Sequence, residues 1–464
     1  MSIREKRHKE YWKPEEPVQD IVKEGEDAAK AAEEEAKKPK ITMEIEGGAK
    51  RTTSRDISLL ISARDEKGFG ISGYFVSEDK TPPTTNSKWV VIPQSYPLAT
   101  FYSTTIAYTL DPKDGMKTIY AWCRDGQGMV SNAAVVSILL TSYEFIKKWG
   151  QPGAGALEFA APSAIAQGPD GSFYIVDTDN HRVQVFDKDF NFIRQLGEGK
   201  GKTDGKFYYP RGVAVYPSSG DVYIVDSGNN RVQKFDSNGK FVKQWGAVPP
   251  PPAKPREPGE WHYVDGNETT FSQGGDPSVE LYDPLNATVD KNGDVWVVDS
   301  GNHRIKKYDK DGKLLLSWGT NGSLDGMLHY PSDIDVDDSQ TVYISDMGNN
   351  RIQKFDKEGK FIGKWGKKGT GDTNLKLPLG ITFDSSGHIL VADSGNHRVQ
   401  KFDKDGNFID GFGYTGAGDG EFNAPVFVIT DKEGYIYVLD RTNSTVQKFK
   451  YVPRPKEEQT NNKG

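Results

Sequence analysis

The sequence is poor in the features that usually signal covalent, metal-centred or membrane chemistry. Cys123 is the single cysteine among 464 residues, which excludes an intrachain disulfide, an iron–sulfur cluster and a multi-cysteine zinc site. No apolar run approaches the roughly 18 residues of a membrane span. The N-terminal stretch MSIREKRHKEYWKPEEP also lacks the apolar segment of a signal peptide. We expect no membrane insertion, and the sequence leaves the compartment open.

A basic excess is absent as well. The chain has 59 lysines and arginines against 66 aspartates and glutamates, which gives a formal net charge of −7. Proteins that bind nucleic acid through its phosphates usually carry a basic patch and a net positive charge. The balance therefore predicts no nucleic-acid partner.

Glycine and aromatic residues are plentiful. The chain has 50 glycines, and 11% of its residues are Phe, Trp or Tyr. This composition is typical of many short strands joined by tight turns. We therefore predict an all-β fold.

Residues 1–40 and residues 41–141 differ sharply in pattern. The first range is almost wholly charged, which predicts an arm that is helical or disordered. The second range has six short alternating runs, among them ISLLISARD and KTIYAWCRD, which predict a β-sandwich. Its segments ISLLISARDEKGFGISGYFVSEDKTPP and KTIYAWCRDGQGMVS resemble bacterial immunoglobulin-like modules. That resemblance implies a spacer or binding module at an extracellular surface, on an appendage or in a particle.

Repetition dominates the sequence after residue 142. Six copies of one motif begin at aspartates spaced 49, 73, 47, 47 and 47 residues apart, each with a proline 15 or 16 residues upstream. The copies are VDTDNHRVQVFD, VDSGNNRVQKFD, VDSGNHRIKKYD, SDMGNNRIQKFD, ADSGNHRVQKFD and LDRTNSTVQKFK. Each unit contains four strand-like runs, the pattern of one blade of a β-propeller.

The last copy ends without its own fourth strand, whereas an unpaired fourth-strand sequence, YEFIKKWG at 143–150, precedes the first copy. The two halves predict one shared blade, which closes a six-bladed propeller over residues 142–451. We predict that residues 452–464 form a disordered tail.

These copies resemble the NHL family, whose unit D-x-x-N-[HN]-R-[IV]-Q-x-F they repeat from residue 143 to about 450. The resemblance implies a six-bladed β-propeller. The sixth copy departs from the pattern, with Ser444 at the [HN] position and Thr445 in place of the arginine. A closing blade tolerates such a departure.

The polar residues of the motif look like a catalytic set, but we interpret them as structural. The position before the arginine alternates between His and Asn among the copies, which argues against a role in proton transfer. We expect the Asp and Asn to satisfy backbone N–H groups at the hairpin between the second and third strands, and the Arg to brace a neighbouring strand or blade. The assigned residues are Asp177, Asn180, Arg182, Asp226, Asn229, Arg231, Asp299, Asn302, Arg304, Asp346, Asn349, Arg351, Asp393, Asn396, Arg398, Asp440 and Asn443.

No metal or other cofactor is predicted. His181, His303 and His397 occur in alternate blades, too far from the axis to reach one zinc ion. The best remaining cation candidates are Asp333 and Asp335, on a predicted first strand near the channel, although two carboxylates alone also fit a solvated pair.

One connector between blades is about 25 residues longer than the others, and it points to a binding role. Residues 247–283 begin with a proline-rich segment and contain Trp261, His262 and Tyr263 in a row. Aromatic residues on long loops are frequent interface anchors. The leading hypothesis is a non-enzymatic structural scaffold that binds a protein or glycan partner on this face. An insertion that merely packs against the propeller flank or the sandwich is the alternative.

Two further functions stay open. One is a structural subunit of a tail, fibre or surface-appendage assembly. The other is an enzyme, because NHL-like propellers include a peptide-amidating lyase and resemble lactone hydrolases. Such chemistry needs ligands that converge on the axis, and the remaining propeller histidines, His262, His329 and His388, share no common position in the repeat.

Overall fold

A computed structural model describes residue 30 and residues 35–93, 99–111, 115–246 and 280–453. The chain divides into two units, Met1–Ser142 and Tyr143–Gly464. The predicted arm lies almost entirely outside the described residues, and so does most of the predicted tail. Within the described residues, no helix has both the length and the apolar character needed to cross a membrane.

The first unit contains eight described strands in two sheets. They are β1 (Lys40–Ile45), β2 (Arg51–Thr52), β3 (Asp56–Arg64), β4 (Ile71–Ser77), β5 (Val90–Val91), β6 (Phe101–Thr109), β7 (Gly115–Asp125) and β8 (Ala134–Leu140), with a 3-10 turn at Glu46–Gly48. One sheet has the order β1-β3-β6 and the other β2-β8-β7-β4-β5.

Alternation along the strands of the first unit builds a core shared by its two sheets. Leu59, Ile61 and Ala63 of β3 are buried, and they join Ile119 and Cys123 of β7 in one cluster. Period-two burial from both sheets is the arrangement of a β-sandwich. The immunoglobulin-like assignment of this sandwich stays a prediction.

The second unit begins with strand β9 (Tyr143–Trp149), which pairs with a strand from the other end of the unit. Four-stranded meanders follow it along the chain. The strands are β10 (Gln151–Pro152), β11 (Glu158–Phe159), β12 (Pro162–Gln167), β13 (Phe173–Asp177), β14 (Arg182–Phe186), β15 (Phe192–Leu196), β16 (Gly212–Val215), β17 (Val222–Asp226), β18 (Arg231–Phe235), β19 (Phe241–Trp245), β20 (Ala287–Val289), β21 (Val295–Asp299), β22 (Arg304–Tyr308), β23 (Leu314–Trp318), β24 (Pro331–Val336), β25 (Val342–Asp346), β26 (Arg351–Phe355), β27 (Phe361–Trp365), β28 (Pro378–Phe383), β29 (Ile389–Asp393), β30 (Arg398–Phe402), β31 (Phe408–Phe412), β32 (Pro425–Thr430), β33 (Tyr435–Asp440) and β34 (Thr445–Tyr451). Short 3-10 turns occupy Ser227–Asn229, Ser300–Asn302, Met347–Asn349 and Ser394–Asn396.

All of these strands except β10 and β11 form six four-stranded antiparallel sheets, numbered here in chain order from sheet one (β12-β13-β14-β15) to sheet six (β32-β33-β34-β9). β10 and β11 pair with each other in parallel. The first strands of successive sheets contact one another in a ring, and β32 contacts β12. Burial between neighbouring sheets accounts for this ring. The second strand of each of sheets one to five is buried along its whole length. The prediction of an all-β chain with a β-propeller is confirmed.

Sheet six is completed by a strand from the other end of the unit. β34 pairs antiparallel with β9, with Val446 opposite Trp149 and Tyr451 opposite Tyr143. Aromatic rings fix β9 at both ends: Tyr143 stacks on Phe412 with 4.0 Å between centroids, and Trp149 stacks on Phe190 at 4.1 Å. The segment YEFIKKW is therefore the fourth strand of sheet six.

Candidate functional site

The polar residues of the first repeat form one hydrogen-bonded cluster around a buried carboxylate. Asp177 accepts bonds at Oδ2 from Arg182 Nε (2.7 Å), Asn180 Nδ2 (2.9 Å) and Gln184 Nε2 (3.2 Å). Its Oδ1 accepts a bond from the backbone N–H of Ala160 (2.7 Å). All of these donors satisfy a carboxylate that has no contact with solvent, so the residues act as one unit, which we call a clamp.

The clamp holds the connector that leads from the fourth strand of one sheet to the first strand of the next. Arg182 Nη2 donates to the carbonyls of Gly155 (2.7 Å) and Glu158 (3.2 Å), and Gln184 Nε2 also donates to Glu158 (2.8 Å). The structure differs here from the sequence interpretation. In sheet one the aspartate satisfies a connector N–H rather than one in the hairpin, and the arginine braces that connector, where the sequence predicted a neighbouring strand or blade. In sheet six, Asp440 also accepts a bond from the hairpin N–H of Asn443 (3.1 Å).

The same Asp–Asn–Arg clamp recurs in sheets one to five, and a glutamine completes it in all of them except sheet three, which has Lys306 at that position. The distance from Arg Nε to Asp Oδ2 is 2.6 to 2.8 Å in every case. The pairs are Asp177–Arg182, Asp226–Arg231, Asp299–Arg304, Asp346–Arg351 and Asp393–Arg398, with Asn180, Asn229, Asn302, Asn349 and Asn396 on the same carboxylates. Each connector thus enters its blade in one fixed conformation.

Sheet six has an incomplete clamp. Asp440 accepts bonds from the backbone N–H of Asn423 (2.6 Å) and from Asn443 Nδ2 (2.7 Å), but Thr445 stands where the arginine would be. Burial raises the pKa of Asp440 to about 6. Burial also raises the pKa of Asp226 and Asp299, although their arginines oppose that shift.

The alternation between His and Asn in the motif has a simple geometric cause. This residue has φ between 53° and 56°, which turns its side chain toward the next blade. There it accepts a hydrogen bond from the backbone N–H of the residue before the next proline. The pairs are Tyr209 to His181 Nδ1 (3.1 Å), Asp283 to Asn230 Oδ1 (2.7 Å), Tyr330 to His303 Nδ1 (3.0 Å), Leu377 to Asn350 Oδ1 (3.0 Å) and Ala424 to His397 Nδ1 (3.2 Å).

An imidazole can accept at Nδ1 only while that nitrogen is unprotonated. Burial lowers the pKa of His303 to about 4, and the nearby His329 contributes to the shift; the two rings stack with 5.4 Å between centroids. Burial also lowers the pKa of His181. These histidines are therefore neutral hydrogen-bond acceptors between blades, equivalent to asparagine.

The histidines are dispersed over the second unit. His181, His303 and His397 each bond to a different blade, His329 Nδ1 lies 2.9 Å from Asn321 Oδ1, and His388 Nδ1 lies 3.2 Å from Asp384 Oδ2. His262 lies outside the described residues. In the described part of the chain, no group of three or more His, Cys, Asp or Glu residues is arranged to hold a metal ion.

The axis of the ring contains a cavity of about 530 Å³ that is lined by the first strands and by the hairpins between first and second strands. Polar and apolar residues both line it; the polar ones include Gln167, Thr288, Asp335, Thr382, Thr430 and Asp431, and Phe383 and Phe427 are among the apolar ones. A narrower space of about 40 Å³ continues from it along the axis, between Asn286, Asp333, Gly380 and Phe427. The cavity lies at the end of the ring opposite the clamps.

Asp333 and Asp335 both lie in the wall of this channel. The backbone N–H of Ile381 donates to Asp333 Oδ2 (2.7 Å), and Asn286 Nδ2 donates to its Oδ1. Asp335 accepts from Thr288 Oγ1 (3.4 Å) and from the backbone N–H of Val336 (2.9 Å). Burial raises the pKa of Asp333 to about 8 and that of Asp335 to about 7.

The long connector of 247–283 is described only at its C-terminal end. Trp261, His262 and Tyr263 lie outside the described residues. Glu280 O accepts bonds from Arg304 Nη2 (2.8 Å) and Lys306 Nζ (2.9 Å), and the buried Leu281 lies beside Gly246. The long connector therefore leaves and re-enters the propeller at neighbouring, anchored points.

The fold and the clamps define a β-propeller built from repeats with a shared connector-holding unit. Five segments of the chain match the NHL repeat: residues 159–186, 207–235, 281–308, 328–355 and 375–402. The propeller thus contains five NHL repeats. The matches fall on sheets one to five, which are the sheets with complete clamps.

One curated relative shares part of the sequence. Protein brain tumor from Drosophila melanogaster is 41% identical over 73 residues, which cover 16% of this chain and 7% of that protein. The chain thus spans only a small fraction of the length of this relative.

Several solved structures are similar at low sequence identity. An auxiliary nutrient binding protein from Bacteroides thetaiotaomicron has a TM-score of 0.49 at 12% identity, covering 89% of this chain and 98% of that one. A streptogramin B lyase has a TM-score of 0.44 at 12% identity, covering 71% and 86%. A gluconolactonase from Xanthomonas campestris has a TM-score of 0.43 at 16% identity, covering 64% and 87%.

Proposed function

We propose that this protein is a non-enzymatic binding scaffold. Its propeller presents the face formed by the clamped connectors and the hairpins between second and third strands, here called the connector face, to a protein or glycan partner. The observation that supports this most is that the repeated polar side chains hold the connectors in place. Arg231, for example, donates hydrogen bonds to the carbonyls of Lys202, Thr203 and Lys206.

Fixed connectors suit binding because a loop that is already ordered loses little conformational entropy when a partner docks. Hydrogen bonds between blades add to this order, as in the bond from the Tyr209 N–H to His181. The connector face is then a rigid surface whose shape is set before the partner arrives.

The 247–283 connector supplies the variable part of this surface in the proposal. Its described end is anchored to Arg304 and Lys306, and Gly246 lies at its start. The sequence predicts that Trp261, His262 and Tyr263 contact the partner, since aromatic side chains bury much area at little entropic cost.

The test combines capture and affinity measurement. Native complexes containing the full chain are purified and identified by mass spectrometry, and the dissociation constant of the recovered partner is then measured by calorimetry. The Trp261→Ala/Tyr263→Ala double variant should bind about 30-fold more weakly, the equivalent of about 2 kcal/mol. A matched control, Val242→Ala/Ile362→Ala, removes two exposed side chains from outer strands and should bind normally.

Unchanged affinity in the aromatic double variant would contradict the proposed contact, and so would its unfolding, because the residues would then belong to the packing. Recovery of the chain in a discrete particle would favour the alternative of a tail, fibre or appendage subunit. Turnover of a lactone or an amidated-peptide precursor would favour the enzymatic alternative.

A further inference from the structure

We propose that the central channel binds a divalent cation of the Ca²⁺ type, held by Asp333 and Asp335 of β24 together with Asn286 and Thr288 at β20. Nothing in this proposal depends on the partner bound at the connector face. The site lies on the axis of the ring, between sheets three and four.

The arrangement of the four side chains follows from strand alternation. Asp333 and Asp335 are two residues apart on β24, so both point to the channel side of the strand. Asn286 and Thr288 have the same spacing on the neighbouring inner strand, and each hydrogen-bonds one of the two aspartates. Two adjacent blades therefore bring four oxygen-bearing side chains to one place in the channel wall.

The two aspartates bring buried negative charge to this place, and Arg211 lines the narrower space that Asn286 and Asp333 also line. Asp333 is 1% exposed, and its described hydrogen-bond donors, an amide side chain and a backbone N–H, are both neutral. Among the described residues, none of the ion pairs includes Asp333 or Asp335. A buried carboxylate without a counter-charge is costly, and it is relieved either by a bound cation or by a proton.

An unsatisfied oxygen in the same wall favours the cation. Asn286 is 4% exposed, and its Oδ1 has no hydrogen-bond partner among the described residues. The residue borders both the cavity of about 530 Å³ and the narrower space of about 40 Å³. Asn286 turns its Nδ2 toward Asp333 and its Oδ1 toward Gly212, so this amide oxygen keeps a free lone pair in the channel wall. An amide oxygen of that kind is a typical ligand group for Ca²⁺.

The donor set also selects the type of metal. All four side chains offer oxygen, which suits hard cations such as Ca²⁺ and gives no preference for zinc or copper. Ca²⁺ accepts six to eight oxygens in irregular geometry. Water from the wide end of the channel would complete the coordination, since the cavity is large enough to hold several molecules.

Charges at the mouth of the channel are compatible with cation entry. Asp384, Asp431 and Lys432 line the cavity, and Asp384 is paired with Lys401 at 2.7 Å. Asp337, on the hairpin that follows β24, is paired with Lys404 at 3.4 Å. The carboxylates near the mouth thus balance its lysines, so no net positive charge opposes the entry of a cation.

The test measures Ca²⁺ binding directly. The full chain is stripped of metal with a chelator and titrated with CaCl₂ by isothermal calorimetry. Wild-type protein should bind a single Ca²⁺ in the channel. Asp333→Asn and Asp335→Asn should each weaken binding about tenfold or more, and Asn286→Ala should weaken it by less, because only a neutral ligand is lost.

Asp338→Asn is the matched control, since it removes an exposed carboxylate from the adjacent hairpin and should leave Ca²⁺ affinity unchanged. Circular dichroism confirms folding of each variant, and Asp335→Asn, in the more open position, serves if Asp333→Asn does not fold. Absence of Ca²⁺ uptake by wild type, with infrared bands of protonated carboxylic acids instead, would overturn the proposal. Equal binding by wild type and both aspartate variants would overturn it too.

Discussion

Sheets one to five and sheet six reach the same architecture by different means. Each of the first five is one continuous meander with a complete clamp, in which a buried or half-buried arginine pairs with a buried aspartate. Sheet six has no arginine in its clamp, and its fourth strand, β9, comes from about 300 residues away along the chain.

The difference shows where stability is local and where it depends on ring closure. A clamp joins residues that are close in sequence, as in the bond from Arg231 to the carbonyl of Lys202, 29 positions away, so it forms from one short stretch of chain. β9 must instead pair across a long loop, and loop closure costs entropy that packing has to offset. In sheet six, aromatic packing offsets the entropic cost of loop closure, as in the stack of Tyr143 on Phe412.

The largest effect is expected when β9 is lost. Replacing residues 143–149 by a Gly-Ser segment of equal length leaves β34 as an exposed edge and removes the buried ring of Tyr143 and the half-buried ring of Trp149. Loss of one large buried aromatic alone costs about 3–5 kcal/mol. We predict that the variant loses cooperative unfolding of the propeller, measured by denaturant titration followed by tryptophan fluorescence.

The single variant Tyr143→Ala tests the same point more gently, and should reduce the free energy of unfolding by about 3–5 kcal/mol. Ile146→Ala is its control, because Ile146 lies on the same strand but is 41% exposed. If the two variants are equally stable, β9 does not contribute to closure as described.

The next largest loss of stability is expected when one of the complete clamps is broken. Arg351 donates to Asp346 (2.7 Å) and to the carbonyls of Ser323, Leu324 and Met327. Arg351→Ala leaves a buried carboxylate unpaired, and we expect a loss of about 3–5 kcal/mol. Thermal or denaturant unfolding measures it.

Lys364→Ala is the control for that variant, because Lys364 pairs with Asp325 at the surface of the same sheet. Exposed ion pairs contribute only about 0–1 kcal/mol. Equal losses from the two variants would mean that the clamp is no stronger than a surface ion pair.

Adding an arginine to the incomplete clamp should stabilise sheet six. Asp440 lies opposite Thr445 in the same register in which Asp177 lies opposite Arg182, and the Thr445 hydroxyl is buried. Thr445→Arg would supply the missing partner, lower the pKa of Asp440 and stabilise the protein by about 1–2 kcal/mol at pH 7. Thr445→Gln, of similar reach but without charge, should give much less.

This variant has a defined pH dependence. The pKa of Asp440 is about 6 in the folded protein and 3.8 as its ordinary value, so the folded state binds more protons between these values. Wild-type stability from this group therefore falls as pH rises through that window. The advantage of Thr445→Arg should grow from pH 4 to pH 7, and a constant difference would contradict the role of Asp440.

Much of the fold could be predicted from sequence because it rests on repetition. The copies from VDTDNHRVQVFD to LDRTNSTVQKFK give the strand order, and the unpaired YEFIKKWG indicates which strand closes sheet six. The periodic Asp, Asn and Arg could be assigned to structure rather than catalysis because His and Asn alternate beside them, and both accept the same backbone N–H in the structure.

The partners of the motif could not be predicted because they lie in the connectors, whose sequences differ among repeats. Asp177 bonds to Ala160, and Arg182 bonds to Gly155, through backbone atoms that leave no side-chain signal. The role of Gln184 in the clamp was missed, although the glutamine recurs in five of the six copies. The hydrogen bond from Asn286 to Asp333 could not be predicted either, because it joins the first strands of neighbouring blades, 47 positions apart in sequence.

The smallest effect at neutral pH is expected at the position shared by His and Asn. His303→Asn should change stability at pH 7.5 by less than about 0.5 kcal/mol, because Asn350 makes the same bond in the next repeat. The folded pKa of His303 is about 4 against an ordinary 6.5, so the unfolded state binds more protons between these values. Wild-type stability from this group is therefore lost as pH falls from 6.5 toward 4, and the variant should lose less.

The reciprocal variant, Asn350→His, should add a similar loss of stability on acidification. Thermal unfolding of both variants and wild type at pH 7.5, 6 and 5 measures the effect. Parallel pH profiles for all three proteins would contradict the view that these histidines serve as neutral acceptors between blades.

Native-state hydrogen exchange of the full chain, followed by mass spectrometry, tests the central claim about ring closure most directly. β34 also bonds to β33, whereas β9 is the edge strand, so only some amides of each segment join β9 to β34. The account predicts that the amides of 143–149 that bond to β34 are protected to the same extent as the amides of 445–451 that bond to β9. Tyr143→Ala should then accelerate exchange of both sets together while 342–355 in sheet four stays protected. Rapid exchange of every amide of 143–149 beside protected amides in 445–451 would show that sheet six is not closed by β9.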